Sequence, residues 1–340
     1  MLGANQMVSL HTMSGVQLYQ FPASEFQSLT WSRELGNVSR AEMSVPTKSV
    51  DDITPWLHWM SVWDDHDLLW TGPVQRATYN RDVTVITAQD CAALLSRTRV
   101  PLTKMWESTD PARIADELFN AMFEQQRQVG RVIVRQDPLN DPFNFETTAD
   151  VQMLDAVIDD LVGLGLTWSV VAGTVLLGPA PRTSIAGLGE DDFVNDSLSL
   201  VRDGTRLFTD VLLRAADDQT RARVNVGGLN LQTIVDVDSL FGVSNADRAA
   251  RQYLRYCSRM REAVALDGTS QLHPLAPLTI ESLVPSARVT VTAYGVTSLM
   301  EISAVEVAVS SNRTEVSIGL ESVDDDPPEL IKITDNQGER

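Results

Sequence analysis

The hydrophobic and polar residues between Leu29 and Arg97 alternate with a period of two. Successive side chains of a strand point to opposite faces, so this pattern predicts strands with one buried face. Pro46 ends one predicted strand because proline cannot donate a hydrogen bond to a neighbouring strand. Asn80-Arg81-Asp82 predicts a tight turn, and Ala88–Ser96 predicts a short helix with Cys91 facing inward. The stretch therefore predicts a small antiparallel β-barrel closed by a helix.

The period changes to about four residues after position 102. Asp110 followed by proline predicts a helix start, and an amphipathic pattern continues to about Gln128. A second amphipathic pattern follows Thr148, and Leu166–Leu177 predicts a hairpin. Residues 103–185 are therefore predicted to form an α+β insertion domain.

Strands are predicted to return after Ser184–Asp192, a stretch of small residues that is typical of a linker. A capping box at Ser244 predicts a helix over residues 244–265, with arginines on its polar face. The predicted strands of this region are Leu198–Arg202, Leu207–Ala215, Arg221–Val226, Asn230–Val237, Leu278–Leu283, Arg288–Ala293, Met300–Val309 and Glu315–Glu321. We expect a second barrel over residues 186–322, and an acidic tail or arm over residues 323–340.

Two segments far apart in the chain repeat one pattern. Val74–Val85 reads VQRATYNRDVTV, and Val305–Ile318 reads VEVAVSSNRTEVSI. Each predicts a strand, an Asn-Arg turn and a returning strand, although asparagine is common in hairpin turns of unrelated origin. Together with the strand-rich character of both ends, the repeat predicts two similar barrels on either side of the α+β insertion.

Composition limits the classes of function. The 340 residues are 43% hydrophobic with seven Trp and carry a net charge of −19, which predicts folded domains that repel nucleic acid and anionic membranes. Cys91 and Cys257 fall in apolar patterns and are predicted to be buried free thiols. We expect no signal peptide and no membrane span. The tryptophan-rich segment Trp56–Trp63 is compatible with an interface and with a plug for one end of the barrel.

No constellation of catalytic residues is visible in the sequence. The four histidines, His11, His58, His66 and His273, are scattered, and Asp64-Asp65-His66-Asp67 lacks the spacing of a calcium loop, so a polar hairpin tip is favoured there. There is no Gly-x-Ser-x-Gly motif, and pairs such as Glu301 with Glu306 are uninformative in so acidic a chain. We therefore predict a protein that is not an enzyme, with no catalytic, cofactor-binding or metal-binding residues.

The order of motifs in the first barrel resembles a known family. Trp-x-Arg at Trp31 is followed by a strand ending in Val-Pro at Pro46, then by Leu-Trp-x-Gly-x-Val at Leu69, a hairpin, and Ala-x-Asp-x-x-x-Leu-Leu at Ala88. This order resembles the first barrel of the tail hub proteins of long-tailed phages, also called minor tail or baseplate hub proteins.

The resemblance implies a mainly β fold in which two tube-type antiparallel barrels, residues 1–102 and 186–322, flank the α+β domain. It implies a homotrimeric ring at the tail tip of the virion, made in the host cytoplasm, that joins a sixfold tail tube to a threefold tip. DNA would pass through the lumen without specific binding. The implied partners are the distal tail ring, the tape measure and tip or fibre proteins. Two alternatives remain at this point: a carbohydrate- or receptor-binding tail protein, and a peptidoglycan-cleaving tail enzyme.

Overall fold

A computed structural model describes most of the chain in two compact units. The described residues are 6–128, 130–135, 143–181, 183–194, 197–205, 207–215, 219–237, 247, 250, 251, 253–255, 257, 258, 261–266, 268–310 and 313–323. The first unit comprises residues 1–198, 266–292 and 299–321, and the second comprises residues 199–265, 293–298 and 322–340. The predicted mainly β fold with an α+β region is confirmed, although the acidic tail after residue 323 lies outside the described residues.

The first strand region contains seven strands and a closing 3-10 helix. The strands are β1 (Gln6–Thr12), β2 (Gln17–Phe21), β3 (Ser28–Glu34), β4 (Arg40–Pro46), β5 (His58–Asp64), β6 (Asp67–Tyr79) and β7 (Val83–Gln89). The closing helix is Cys91–Arg97, which is a 3-10 helix with five buried residues. The alternation predicted from the sequence appears directly in β3, β4 and β7, where every second residue is buried.

The α+β region follows in the same unit. Its elements are β8 (Lys104–Thr109), α1 (Pro111–Gln125), β9 (Arg131–Val134), β10 (Phe143–Thr147), α2 (Leu154–Gly163), β11 (Trp168–Val171) and β12 (Thr174–Leu177). Asp110 caps α1 as predicted, since its carboxylate accepts a hydrogen bond from the backbone N–H of Ala112. In the part of the chain that the structure describes, no helix is long and apolar enough to cross a membrane.

Ten further strands complete the described chain. They are β13 (Ser184–Gly189), β14 (Leu198–Asp203), β15 (Asp210–Ala215), β16 (Gln219–Arg223), β17 (Gln232–Val237), β18 (Arg261–Leu266), β19 (Thr269–Gln271), β20 (Arg288–Ala293), β21 (Val296–Ser310) and β22 (Arg313–Ser322). In the second unit, β15 pairs antiparallel with β16 and parallel with β17. Val211, Leu213 and Leu254 belong to the apolar core of that unit.

Three predictions from local pattern are wrong, because tertiary pairing outweighs local propensity. The predicted linker at Ser184 is strand β13, which pairs parallel with β20. The helix predicted over 244–265 does not reach its expected end, since Arg261–Leu266 is strand β18, which pairs with β14; the described residues between 247 and 257 are helical. Leu278–Leu283 is a series of turns instead of a strand, although Leu278, Ile280 and Leu283 are buried.

One continuous sheet joins the first strand region to the last strands of the chain. Its hydrogen-bonded path runs β13-β20-β21-β3-β4-β7-β6-β5-β1-β2, with β22 paired to β21 and β19. The joint is the antiparallel pair β3–β21, which matches seven consecutive residues from Glu34 opposite Ala304 to Ser28 opposite Ser310. We call β13, β19, β20, β21 and β22 the last strand region.

The α+β region shares its core with the closing helix of the first strand region. Leu94 and Leu95 of that helix pack in one cluster with Ile114 and Phe119 of α1 and Leu161 of α2. A backbone bridge between Leu35 and Ser169 also ties the end of β3 to β11. In the described part of the first unit, strand pairing thus joins the first strand region to the last, and an apolar core joins the first strand region to the α+β region.

Candidate functional site

A shallow open groove of about 470 Å³ lies on the polar face of the central sheet. It is lined by residues of β3, β4, β6, β7 and β21, so it draws on both strand regions. The described residues that line it include no His, Cys or Lys. The groove is therefore treated as a candidate contact surface.

Strand register explains which side chains reach this face. Residues directly opposite each other in an antiparallel pair share a face, and Thr30 lies opposite Glu42, which lies opposite Thr87. The neighbouring row places Glu306 opposite Ser32, and Arg40 opposite Gln89. The alternate residues are the buried ones, which include Leu29, Trp31, Met43 and Ile86. The sequence alternation therefore determines both the core and the polar face.

The charges on this face are few and mixed. Arg40, Glu42, Arg76 and Glu306 are exposed on it, and in the described part of the chain none of the four takes part in an ion pair within 4.0 Å. Most of the remaining side chains are hydroxyls and amides. A face with short hydroxyl side chains and nearly balanced charge offers no strong site for a phosphate backbone.

Arg33 lies beneath this face, with 1% of its surface exposed. Its guanidinium donates to the backbone carbonyls of Ile280 and Leu283 at 2.8 Å and of Leu69 at 2.9 Å. It also lies 5.1 Å from the centre of the Trp31 ring. Burial lowers the pKa of Arg33 to about 10, while the Glu281 charge acts in the opposite direction. Arg33 thereby binds the 280–283 turns to β6.

Arg33 lies on the buried side of β3, two residues after Trp31. What the sequence did not reveal is the partner set, because all three acceptors are backbone carbonyls, two of them about 250 positions away. A Trp-x-Arg pair on the apolar face of a predicted strand is the signal that leads to such a buried cation.

Comparison with known proteins identifies the fold. No protein-family model matches the chain, and no curated protein matches it in sequence. Solved structures do match. A 43 kDa tail protein of prophage MuSo2 from Shewanella oneidensis has a TM-score of 0.62 at 12% identity, over 96% of this chain and 99% of that one. A tail protein from Neisseria meningitidis MC58 has a TM-score of 0.60 at 13% identity, over 94% and 97%.

A third match is prophage tail protein gp18 from Listeria monocytogenes, with a TM-score of 0.52 at 12% identity over 99% of both chains. This chain has the fold of phage tail proteins. The resemblance inferred from the motif order is thereby supported at the level of fold.

Three of the four histidines make hydrogen bonds within this fold. His11 shares hydrogen bonds with the Thr12 carbonyl at 2.9 Å and the Ser61 hydroxyl at 2.8 Å. The Nδ1 atoms of His58 and His273 each accept a nearby backbone N–H. His66 lies in the exposed turn between β5 and β6, so Asp64–Asp67 is a hairpin tip, as the sequence favoured. Among the described residues, no group of three or more His, Cys, Asp or Glu is arranged to hold a metal ion.

Glu301 and Glu306, which were uninformative in the sequence, lie in different surroundings in the fold. Glu301 is half-buried and lies 4.0 Å from Arg288, and burial raises its pKa. Glu306 lies on the polar face of the sheet. Cys91 and Cys257 are buried and neither forms a disulfide, as predicted.

The tryptophan-rich segment is part core and part surface. Trp56 and Trp59 are partly buried against the core that the closing helix shares with the α+β region. The Trp63 indole donates to the Ser9 hydroxyl at 3.0 Å. Leu57, between Trp56 and Trp59 in the sequence, is 60% exposed. The segment thus packs at the end of the first strand region. Its indole rings do not form an exposed aromatic surface.

Proposed function

We propose that this protein is a structural hub of a phage tail tip, in which three copies form a ring around a channel for DNA. The observation that carries the proposal is the arrangement of the two strand regions, which repeat one strand order and share one sheet. The first strand region contains the order β5-β6-β7-β4, and the last contains β20-β21-β22-β19. Fold similarity to tail proteins over nearly the full length of both chains points to the same class of structural role.

Two similar regions per chain answer a symmetry mismatch. A ring that contacts a sixfold tube on one side and a threefold tip on the other needs six similar surfaces from three chains. Head-to-tail contacts between identical chains close into rings of this kind. On this proposal the two barrels are residues 1–102 and 186–322, the α+β insertion 103–185 lies outside the ring, and residues 323–340 form an acidic arm. The sheet joint β3–β21 would hold two adjacent positions of the ring together within one chain.

The polar face of the sheet is proposed to line the channel. A strongly basic wall would hold DNA by releasing its counterions, whereas a wall of hydroxyls with near-balanced charge lets it pass. The groove face has that composition, with Glu42 and Glu306 offset by Arg40. The net charge of −19 acts in the same direction.

The alternatives have less support. A sugar- or receptor-binding tail protein would use exposed aromatic rings, and Trp56 and Trp59 are partly buried against the core. A peptidoglycan-cleaving enzyme would need paired acids or a metal centre, and the solved relatives are described as tail proteins. The proposed partners remain the distal tail ring, the tape measure and tip or fibre proteins, and the proposed location is the virion tail tip after synthesis in the host cytoplasm.

The test is the mass and shape of the purified protein. Sedimentation velocity at rising concentration is expected to converge on three times the 37.4 kDa chain mass, and the thermal midpoint is expected to rise with concentration because association stabilises the folded chain. Negative-stain images should show a ring with a central hole. A concentration-independent monomer, or a ring of six chains, would contradict the proposal. A zymogram with cell-wall substrate is expected to show no clearing.

A further inference from the structure

Asp90 is a buried carboxylate without a cationic partner. It is 1% exposed, and it follows β7 directly, where it caps the closing helix Cys91–Arg97. Its Oδ1 accepts the backbone N–H of Ala92 at 2.9 Å, and its Oδ2 accepts the backbone N–H of Ser39 at 2.8 Å. The Asp90 N–H in turn donates to the Ser39 carbonyl at 3.0 Å. We call Asp90, Ser39 and Ala92 the capping latch.

The capping latch stands at a junction of three parts of the first unit. Ser39 belongs to the turn between β3 and β4, and Gly72 of β6 passes so close that a Cβ there would lie 2.7 Å from the Asp90 Cα. The closing helix on the other side contributes Leu94 and Leu95 to the core shared with α1 and α2. Any loosening of this latch therefore loosens the contact between the first strand region and the α+β region.

The physical state of the Asp90 carboxyl is finely balanced. Burial raises its pKa to about 7, and hydrogen bonds from the Ser39 backbone N–H, the Ser39 side chain and the Ala92 backbone N–H oppose that shift without cancelling it. Glu34 of β3 is the charged residue near enough to act on it, and it also raises the pKa. Arg33 of β3 is also buried, and its guanidinium donates to backbone carbonyls of Leu69, Ile280 and Leu283. The other charged residues on the packed elements are exposed or half-exposed, namely Arg40, Glu42, Asp67, Arg76, Arg97, Asp155, Asp159 and Asp160. The adjacent Cys91 thiol stays protonated, since burial raises its pKa well above the ordinary value.

We propose that Asp90 is a proton-sensitive latch: one proton on its carboxyl near neutral pH sets how firmly the closing helix is held against the β3–β4 turn. With the proton bound, the group is neutral and its burial costs little free energy. Without it, an uncompensated negative charge is enclosed, and opening of the helix lets water reach that charge. The closing helix therefore opens more often as the pH rises toward 7.

The direction follows from proton linkage. The Asp90 pKa is 3.8 in its ordinary state and about 7 in the folded chain, so between these values the folded chain keeps a proton that the open or unfolded chain has lost. Stability from this group is fully present below the ordinary pKa and is lost as the pH rises through about 7. For a single proton, the opening constant rises by up to about tenfold for each pH unit in that window and is flat above it.

The test is amide hydrogen exchange by mass spectrometry on the full-length protein from pH 5 to pH 8, corrected for the intrinsic pH dependence of exchange. Peptides covering residues 90–98 are expected to lose protection by up to about tenfold per pH unit below pH 7, with no further loss above it. In Asp90→Asn this slope should disappear. Asp110→Asn is the matched control, because Asp110 caps α1 through the same bond to residue i+2, at 2.9 Å, but is half-exposed; it should leave the slope unchanged.

Two outcomes would overturn the proposal. One is a protection slope over residues 90–98 that is the same in wild type and Asp90→Asn. The other is a slope that appears equally in peptides of the second unit, which would indicate global instead of local opening. If Asp90→Asn does not fold, Asp90→Ser keeps an oxygen acceptor for the cap and removes the titrating group. If neither variant folds, the wild-type profile decides alone: a flat profile from pH 5 to pH 7 contradicts the latch.

Discussion

The two strand regions of the first unit have the same strand order but differ in the strand that flanks it. In β5-β6-β7-β4 and in β20-β21-β22-β19 the second strand is the long one, with 13 residues in β6 and 15 in β21. They differ in the next strand outward: β1 pairs antiparallel with β5, whereas β13 pairs parallel with β20. A parallel neighbour requires a crossover connection, and the last region receives its parallel strand from the chain just after the α+β region.

In both regions a glycine lies near an interruption in the alternation of the long strand. In β6 the register shifts between Val74 and Arg76, just after Gly72. In β21 two successive half-buried residues, Ser303 and Ala304, break the pattern opposite Gly319 of β22. The contacts are unequal, however. Gly72 faces backbone atoms, whereas Gly319 faces a hydroxyl and a methyl group. A side chain at the Gly72 position would therefore be harder to accommodate than one at the Gly319 position.

The interiors differ as well. The first region encloses Arg33 and Gln6, whose side-chain oxygen accepts the Trp31 indole N–H at 2.9 Å. The inward residues of the last hairpin are apolar, as in Val305, Val307 and Ile318. Buried polar groups restrict the arrangements that satisfy them, while an apolar interior tolerates repacking. We therefore expect the buried side chains of the first region to tolerate fewer alternative arrangements than those of the last region.

The largest effect is expected for Gly72→Ala. A Cβ at this position would collide with the backbone of Gln89 and lie 2.7 Å from the Asp90 Cα, and backbone cannot move aside as a side chain can. The loss should be about 4 kcal/mol of unfolding free energy, or failure to fold. Urea unfolding followed by tryptophan fluorescence measures it. A loss below about 1 kcal/mol would show that β6 and the start of the closing helix are able to separate.

A smaller loss is expected for Arg33→Met, which keeps an unbranched apolar stem but removes the guanidinium and leaves the carbonyls of Leu69, Ile280 and Leu283 without their donor. Unpaired buried acceptors destabilise, and release of a buried cation offsets part of that, so we expect a net loss of about 3 kcal/mol. Arg40→Met, on the exposed face of the adjacent strand, is the control and should change stability by less than about 0.5 kcal/mol. Equal effects in the two variants would remove the argument that the first region is held by its buried cation.

Much of this difference was visible in the sequence, and part of it was not. The period of two located β3, β4, β6 and β7. The helix start at Asp110 was also correct, because a capping side chain acts within three residues. What local pattern missed depends on distant partners: β13 is a strand because β20 lies beside it, and Leu278–Leu283 forms turns whose carbonyls bind Arg33. The candidate groove also requires β21 beside β3, a pairing of residues about 270 positions apart.

The matched change in the last region is Gly319→Ala, and we expect it to cost about 1 kcal/mol. Its Cβ would lie 2.9 Å from the Ser303 Oγ and 3.4 Å from the Ala304 Cβ, so a rotation of the serine hydroxyl group relieves most of the strain. The same urea unfolding experiment applies. The double variant Gly319→Ala with Ser303→Ala should recover part of the loss, since it removes the hydroxyl. A loss as large as that of Gly72→Ala would mean that the two regions are equally rigid.

The smallest effect on folding is expected on the polar face that the two regions share. Glu42 comes from the first region and Glu306 from the last, and both are exposed. Changing either to Arg should alter unfolding free energy by less than about 0.5 kcal/mol. If both residues face the channel of the proposed ring, each change should introduce weak binding of duplex DNA that decreases with salt. The slope of log affinity against log salt should be near 0.9 in magnitude for each phosphate that the new arginine neutralises.

Fluorescence anisotropy of a labelled duplex measures this binding. Glu107→Arg, on the exposed surface of β8 in the α+β region, changes the net charge equally and should produce no such binding. DNA binding by the Glu42→Arg variant but not by the Glu306→Arg variant would mean that only the first region contributes to the channel wall. The two strand regions would then differ in role as well as in rigidity.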